Sequence, residues 1–209
     1  MDAKTGKEIA DQGALRDLYG DAMGISVAKE IDRLDHHCRA IIAKSPFLCL
    51  ASSDAEGKAD VSPKGDAPGF VRVLDDHHIL IPDRPGNNRL DTMENILQNP
   101  EVATIFFIPG MKETLRINGR ARIVTDAEVL EDFEVNGKLP KTALLIEVRE
   151  VFTHCAKALA RSRLWDDDYK IDRNELPSLA EILADHADDG SSVEDIAAKI
   201  EHSRKTRMY

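Results

Sequence analysis

Thr114-Leu-Arg-Ile-Asn-Gly-Arg-Ala-Arg-Ile123 has the cleanest alternation in the chain. Leu115, Ile117, Gly119, Ala121 and Ile123 share one face; Thr114, Arg116, Asn118, Arg120 and Arg122 share the other. That two-residue period belongs to a strand with one side on a core and one in water. Gly119 marks a bulge, a place where a strand bends to close a barrel. On the C-terminal side, Thr125-Asp-Ala-Glu128 reads as a capping box opening a short helix with Val129, Leu130 and Phe133. Strand character resumes over Ala143 to Val148 and runs on towards Cys155. On the N-terminal side, Val102 to Ile108 is a buried strand ended by Pro109-Gly110. Phe70–Leu74 and His78–Ile81 flank an acidic turn as a hairpin. Phe47–Ala51 and Ala59–Ser62 pair across Asp54-Ala-Glu-Gly57, and Ser62 to Gly69 is a Pro- and Gly-rich loop. Outermost, Ile25 to Ser45 reads as one helix, with Val27, Ile31, Leu34, Cys38 and Ile41 on a buried stripe. From Ala156 the chain turns helical, and Pro177–Ala187 and Ser192–Ser203 form a terminal helix pair broken at Gly190.

Six or seven strands joined by short turns, with helices between them, predict a mainly β protein with flanking helices (α+β). The arrangement fits an antiparallel barrel rather than a doubly wound sheet, for which the helices are too few. No Gly-x-Gly-x-x-Gly follows any strand. The 209 residues suffice for one domain with a core plus a small helical appendage. An apolar content of 42% with 32% charged residues places the chain among soluble globular proteins. A net charge of −10 argues against nucleic acid as the main partner. Three well-separated cysteines, Cys38, Cys49 and Cys155, argue against a disulfide framework and fit a reducing compartment. With no apolar signal core and no span-length apolar run, the expectation is a cytoplasmic protein without a membrane partner.

Function is read from Ile81-Pro-Asp-Arg-Pro-Gly-Asn-Asn-Arg89 and the helix that follows, up to Asn99-Pro100. A strand end, a tight turn and a helix start carrying two arginines make a ready phosphate site, because helix N-termini present free N–H groups. Asn88 is the expected helix cap, with Asp91 at the capping-box position. Leu90, Met93, Ile96 and Leu97 supply the apolar stripe. The plainer reading is a surface turn with capping asparagines.

The order of these parts resembles the pyridoxamine 5′-phosphate oxidase-like, FMN-binding split-barrel family, over roughly residues 25–165. More narrowly, it resembles a bacterial branch described only as FMN-dependent enzymes. The resemblance implies a six-stranded antiparallel split β-barrel, working as a homodimer with FMN between the subunits. It implies a phosphate held by Asn87, Asn88 and Arg89, with Ile81 and Pro82 laid along the flavin. Lys64, Gly65, Asp66 and Val71 would edge the ring and ribityl chain. Thr114 and Arg116 would touch the cofactor from the long strand, and Lys157, Arg161 and Trp165 would reach over the cleft, from the same subunit or from the partner. The domain division is then an N-terminal segment (1–24), the barrel (25–165) and a C-terminal helical extension (166–209). The Arg-Leu-His-x-Arg segment with which true pyridoxamine phosphate oxidases grip substrate is missing; Ala156-Lys-Ala-Leu-Ala-Arg-Ser-Arg-Leu-Trp165 stands instead.

The implied activity is an FMN-dependent oxidoreductase acting on an unidentified small-molecule substrate or electron donor, with no catalytic residue assigned. The alternatives are a flavin-storing module without a dedicated substrate, or a split barrel using haem or a deazaflavin. No metal is expected, since His36, His37 and Cys38 are adjacent helical residues pointing in different directions. Arg120 and Arg122 read as solvated strand residues, and Lys157 with Arg161 equally suits an anion or Asp166 to Asp168.

Overall fold

In the computed structural model, residues 6, 8–187 and 189–209 are described; Met1 to Thr5 and Lys7 of the expected N-terminal segment lie outside these, as does Asp188. Two short helices, α1 (Gln12–Tyr19) and α2 (Gly24–Ala28), precede α3 (His36–Lys44). Strands β1 (Phe47–Ser53), β2 (Ala59–Gly65), β3 (Arg72–Val73) and β4 (His78–Pro82) lead to α4 (Asp91–Gln98). Then come β5 (Glu101–Phe107), β6 (Thr114–Val124), α5 (Ala127–Leu130) and β7 (Ala143–His154), followed by α6 (Lys157–Ser162), α7 (Leu179–Ala187) and α8 (Val193–Thr206). The strands form one antiparallel sheet in the order β2-β1-β5-β6-β7-β4-β3. Its two edges, β2 and β3, do not pair, so the barrel is split. There are seven strands rather than six because the two-residue β3 extends the β4 edge. Among the described residues no helix is long and apolar enough to cross a membrane.

One apolar core collects Leu48 and Leu50 of β1, Ile79 and Ile81 of β4, Phe106 of β5, Leu115 and Ile117 of β6 and Ile146 of β7. Leu34, Cys38 and Ile42 cover it from the α3 side, and Ile96 from α4. Burial pushes the Cys38 thiol up to about 11, so it packs as a small apolar group and does not act as a nucleophile. β4 is buried on both sides: Leu80 faces away from the main core into a second cluster with Leu130, Phe133 and Ala143.

The bulge falls where the alternation places it, but the extra residue is on β7. Asn118 pairs with Glu150 and Gly119 with Val148, leaving Arg149 unpaired. Inward positions on β7 accordingly change phase, from Leu144, Ile146 and Val148 to Val151. A bulge produces this switch because side chains otherwise alternate strictly.

Several sequence expectations are corrected. The single helix over Ile25–Ser45 is two helices, since Asp35 Oδ1 accepts the Cys38 amide at 2.8 Å and caps α3. Between them Ile31 bridges to Val151, leaving Val27 exposed on α2. The loop expected from Ser62 is strand through Gly65; Pro63 is tolerated because β2 is an edge strand with no neighbour on its outer side. Asp126, not Thr125, is the N-cap of α5, without a side-chain bond. On α4 the buried residues are Thr92 and Ile96, while Leu90 and Leu97 are exposed.

A Cβ at Gly119 would lie 2.1 Å from the Glu147 carbonyl oxygen, and main chain cannot step aside cheaply. Gly119→Ala is expected to destabilise the fold by about 3 kcal/mol. Gly24→Ala, where a Cβ meets nothing within 4 Å, should shift stability by less than ~1 kcal/mol. Chemical denaturation of the two variants checks the contrast.

Candidate functional site

Between the β2 edge and the turn joining β4 to α4 lies a cleft of about 600 Å³. That is a size suited to a small organic ligand. β2 contributes Lys64 and Gly65, β4 contributes Pro82, and the turn contributes Asn87, Asn88 and Arg89. The turn does not continue β4 because Pro85 and Gly86 interrupt it and Asn88 adopts φ 61°. Asparagine is among the few side chains that tolerate this left-handed region. Asn87 Oδ1 accepts the Arg89 amide at 3.0 Å, closing a local side-chain turn.

Asn88 therefore does not cap the helix. The N-cap residue is Leu90, which supplies no side-chain bond. An uncapped helix start is electrostatically suited to an anion, although Asp91 and Glu94 in the first turn already offset part of its dipole.

Each cation lining the cleft has a carboxylate partner. Lys64 Nζ lies 3.4 Å from Asp83 Oδ1. Arg84 Nε donates to Asp66 Oδ2 at 2.6 Å, and its Nη1 donates to the Phe133 carbonyl at 2.7 Å. Arg89 Nε reaches Asp91 Oδ2 at 2.7 Å. The three differ in freedom: the Arg84 side chain is 18% exposed and held at two points, whereas that of Arg89 is 78% exposed. Exposed pairs of this kind exchange partners at little cost. Arg89 is thus the cation that can turn to an incoming anion. Arg84 is a structural clamp.

Asp66 anchors that clamp, with its side chain 5% exposed. Burial alone would raise its carboxyl. The Ala67 amide at 2.7 Å, the Tyr209 hydroxyl at 2.8 Å and Arg84 together hold it below the ordinary carboxylate range.

The family model described as pyridoxamine 5′-phosphate oxidase matches residues 34–155, more than half the chain. The chain belongs to that family. No curated protein matches it. Among solved structures it is similar to a HupZ variant from Group A Streptococcus, at 21% identity over 58% of this chain and 99% of that one, with a TM-score of 0.47. A candidate pyridoxamine 5′-phosphate oxidase from Lactobacillus delbrueckii is 21% identical over 58% and 99%, with a TM-score of 0.44. An F420 reductase is 18% identical over 56% and 94%, with a TM-score of 0.39.

Within this pyridoxamine 5′-phosphate oxidase family member, the residues singled out from sequence divide into two groups. Lys64, Gly65, Pro82, Asn87, Asn88 and Arg89 line the one cleft. Asp66 stands behind it, tied to Arg84. Ile81 and Val71 send their side chains into the core, so only their backbone can face a ligand. Thr114, Arg116, Lys157, Arg161 and Trp165 are absent from the cleft of a single chain. Thr114 is buried opposite His154 on β7. Arg116 lies over the Phe152 ring, 5.5 Å from its centroid, with Nε on Asn118 Oδ1 at 3.1 Å. Lys157 and Arg161 are on α6, and Trp165 Nε1 donates to the Met111 carbonyl at 2.8 Å. These last three also lie beyond the family match.

The sequence reading missed Asp60 and Asp83, which also line the cleft, and the Arg84–Asp66 clamp. Arg84 was legible only as a cation near a helix, since nothing local links it to Asp66. Elsewhere, Asp35, His36 and His37 offer ligand atoms within 4.8 Å of one another, with the Asp35 carboxylate already bonded to the Cys38 amide.

Because the fold stabilises ionised Asp66, the clamp contributes fully above the ordinary carboxyl value of about 4 and is lost as pH falls through the lowered one. A carbon-detected titration of Asp66 should give a midpoint below ~3.9; a midpoint at or above it would show that burial outweighs the three donors.

Proposed function

We propose that the protein is an FMN-dependent oxidoreductase working as a homodimer, with the FMN phosphate at the β4–α4 turn. The observation that carries this reading is the pairing of a helix start lacking a side-chain cap with an exposed Arg89 beside it. A phosphate dianion arriving there would receive the charge-assisted bond that Arg89 now gives to Asp91. The asparagine amides at 87 and 88 can add neutral donors without adding charge. Pro63, Phe70 and Pro82 offer an apolar wall against which a flat ring system packs.

Once bound, FMN supplies the hydride or electron transfer, and the protein orients it and tunes its charge environment. The tuning falls to the Lys64 side chain on the β2 wall, mostly shielded from water, with Asp83 beside it at 3.4 Å. Arg116, Lys157, Arg161 and Trp165 would join the site from a second copy of the chain, since one copy keeps them out of its own cleft. The substrate is a small molecule or electron donor of unassigned identity.

Recombinant protein should be yellow, with oxidised-flavin absorbance that survives gel filtration at a dimer's elution volume. A colourless protein that also fails to bind added FMN would sink the proposal. Arg89→Ala is expected to weaken FMN binding roughly tenfold or more, the scale of one charge-assisted hydrogen bond. Arg122→Ala, on the exposed side of β6, should change it little; equal effects would remove Arg89 from the site. Stopped-flow mixing with NADH and NADPH distinguishes an enzyme from a flavin carrier, which would give no saturable fast phase.

A further inference from the structure

Tyr209 lies shortly after α8, remote in sequence from the cleft, yet it contacts the clamp and its surroundings at three points. Its hydroxyl donates to Asp66 Oδ1 at 2.8 Å, and its ring lies 5.5 Å from the Arg84 guanidinium carbon. Its main-chain oxygen accepts Lys138 Nζ at 2.8 Å. Asp66 spends its other oxygen on Arg84, and Arg84 runs on to the Phe133 carbonyl. The result is one continuous chain of polar contacts, Tyr209–Asp66–Arg84–Phe133. It starts in the helical extension and ends behind the cleft wall. Helices α7 and α8 pack mainly on each other, burying Ala180 and Ile196. Tyr209 is thus an anchor joining that hairpin to the barrel.

We propose that Tyr209 is a latch: by holding Asp66 it fixes Arg84, and through Arg84 the turn over residues 83–90, so that the helical extension controls how readily the cleft releases its ligand. Three features make the arrangement specific. The hydrogen bond from a phenol to a carboxylate is charge-assisted. The guanidinium faces the aromatic ring of the same residue. Asp66 is nearly removed from water, so that a lost partner is not simply replaced by solvent. Tyr209 does not line the cleft and acts on it only through the clamp. It is a positioning residue.

The ligand-release arm of the test rests on the FMN reading above; the structural arm does not. In the full chain without added FMN, Tyr209→Phe should speed exchange of the Asp83 and Arg89 amides, which donate to the Thr142 carbonyl and to Asn87 Oδ1, by about three- to tenfold, the scale of one net hydrogen bond. Amides of β5, β6 and β7 should exchange as before. Asp66→Asn should act similarly, and the double variant should be no faster than Asp66→Asn alone, because both remove the same link. Unchanged exchange at Asp83 and Arg89, or additive effects, would overturn the latch. With FMN bound, Tyr209→Phe should speed its release several-fold, and an unchanged release rate would also overturn the proposal. A protein that binds no FMN would defeat the cofactor reading while leaving the exchange experiment to decide the latch.

Discussion

The close approach of the Gly119 backbone to the Glu147 carbonyl is the constraint on which the architecture turns. β6 and β7 form the longest ladder in the sheet, and each must serve a different neighbour on its far side. β6 pairs with β5 through Glu101 to Phe106, and β7 pairs with β4 through Ala143 to Glu147. A straight ladder would keep both in one gently twisted plane. The extra residue at Arg149 sharpens the twist and changes the inward phase of β7, which lets one sheet coil around one core. The strand opposite must yield room for this, and glycine does so by lacking a Cβ. Arg149 itself points outward, towards Glu101 and Glu147, where a displaced charged side chain costs nothing.

From that coil follows the position of the cleft. Closing the sheet brings the end of β4 near β2, although they are separated by five strand pairings in the sheet order. The split between the two free edges leaves a gap lined by the open outer edge of β2 on one side and by the β4–α4 turn on the other. A gap between edges is polar by nature, because edge strands expose backbone donors and acceptors. Here it is also balanced in charge, each lining cation having an acid in reach. A chain carrying a net charge of −10 gains from this arrangement. Cations held in short pairs stay poised at one place, and an anion of higher charge density than a carboxylate can draw off the most exposed of them.

How much of this was legible in the sequence depended on the range of the interaction. Alternation over Thr114–Ile123 is local, and it placed a strand and its bend correctly. The bulge partner was also written in the chain, since Leu144, Ile146, Val148 and Val151 break a strict period of two, but the eye follows the glycine. The break between α2 and α3 was hidden because Ile31 and Leu34 keep helical spacing while serving a bridge to Val151 and the wall of the core. Asp35 was the visible stop signal, a capping residue inside an apparently continuous stripe. Asn88 was misassigned as a cap because the same residue type suits a left-handed turn position. The Arg84–Asp66–Tyr209 chain was invisible: its members lie far apart in sequence, and although Asp66 and Arg84 were each placed near the cofactor, nothing local links them to one another or to Tyr209.

The division of the family-implied residues into two groups has a geometric cause. Lys64, Pro82 and Asn87–Arg89 sit where the sheet edges meet. Arg116 stands on the other side of the barrel wall, beside Phe152 of the neighbouring strand, and Trp165 is pinned to the β5–β6 turn through Met111. No side-chain rotation carries a residue through a barrel wall packed with Leu115, Ile117 and Val151. Either Arg116 and the α6 residues serve something unrelated to the cleft, or a second barrel presents them to it. A two-fold arrangement resolves the conflict economically, because one self-complementary contact then completes two sites at once. Under the proposed dimer the two groups must therefore fail together: disrupting the contact between subunits should impair the cleft as surely as removing Arg89, without altering any residue that lines it.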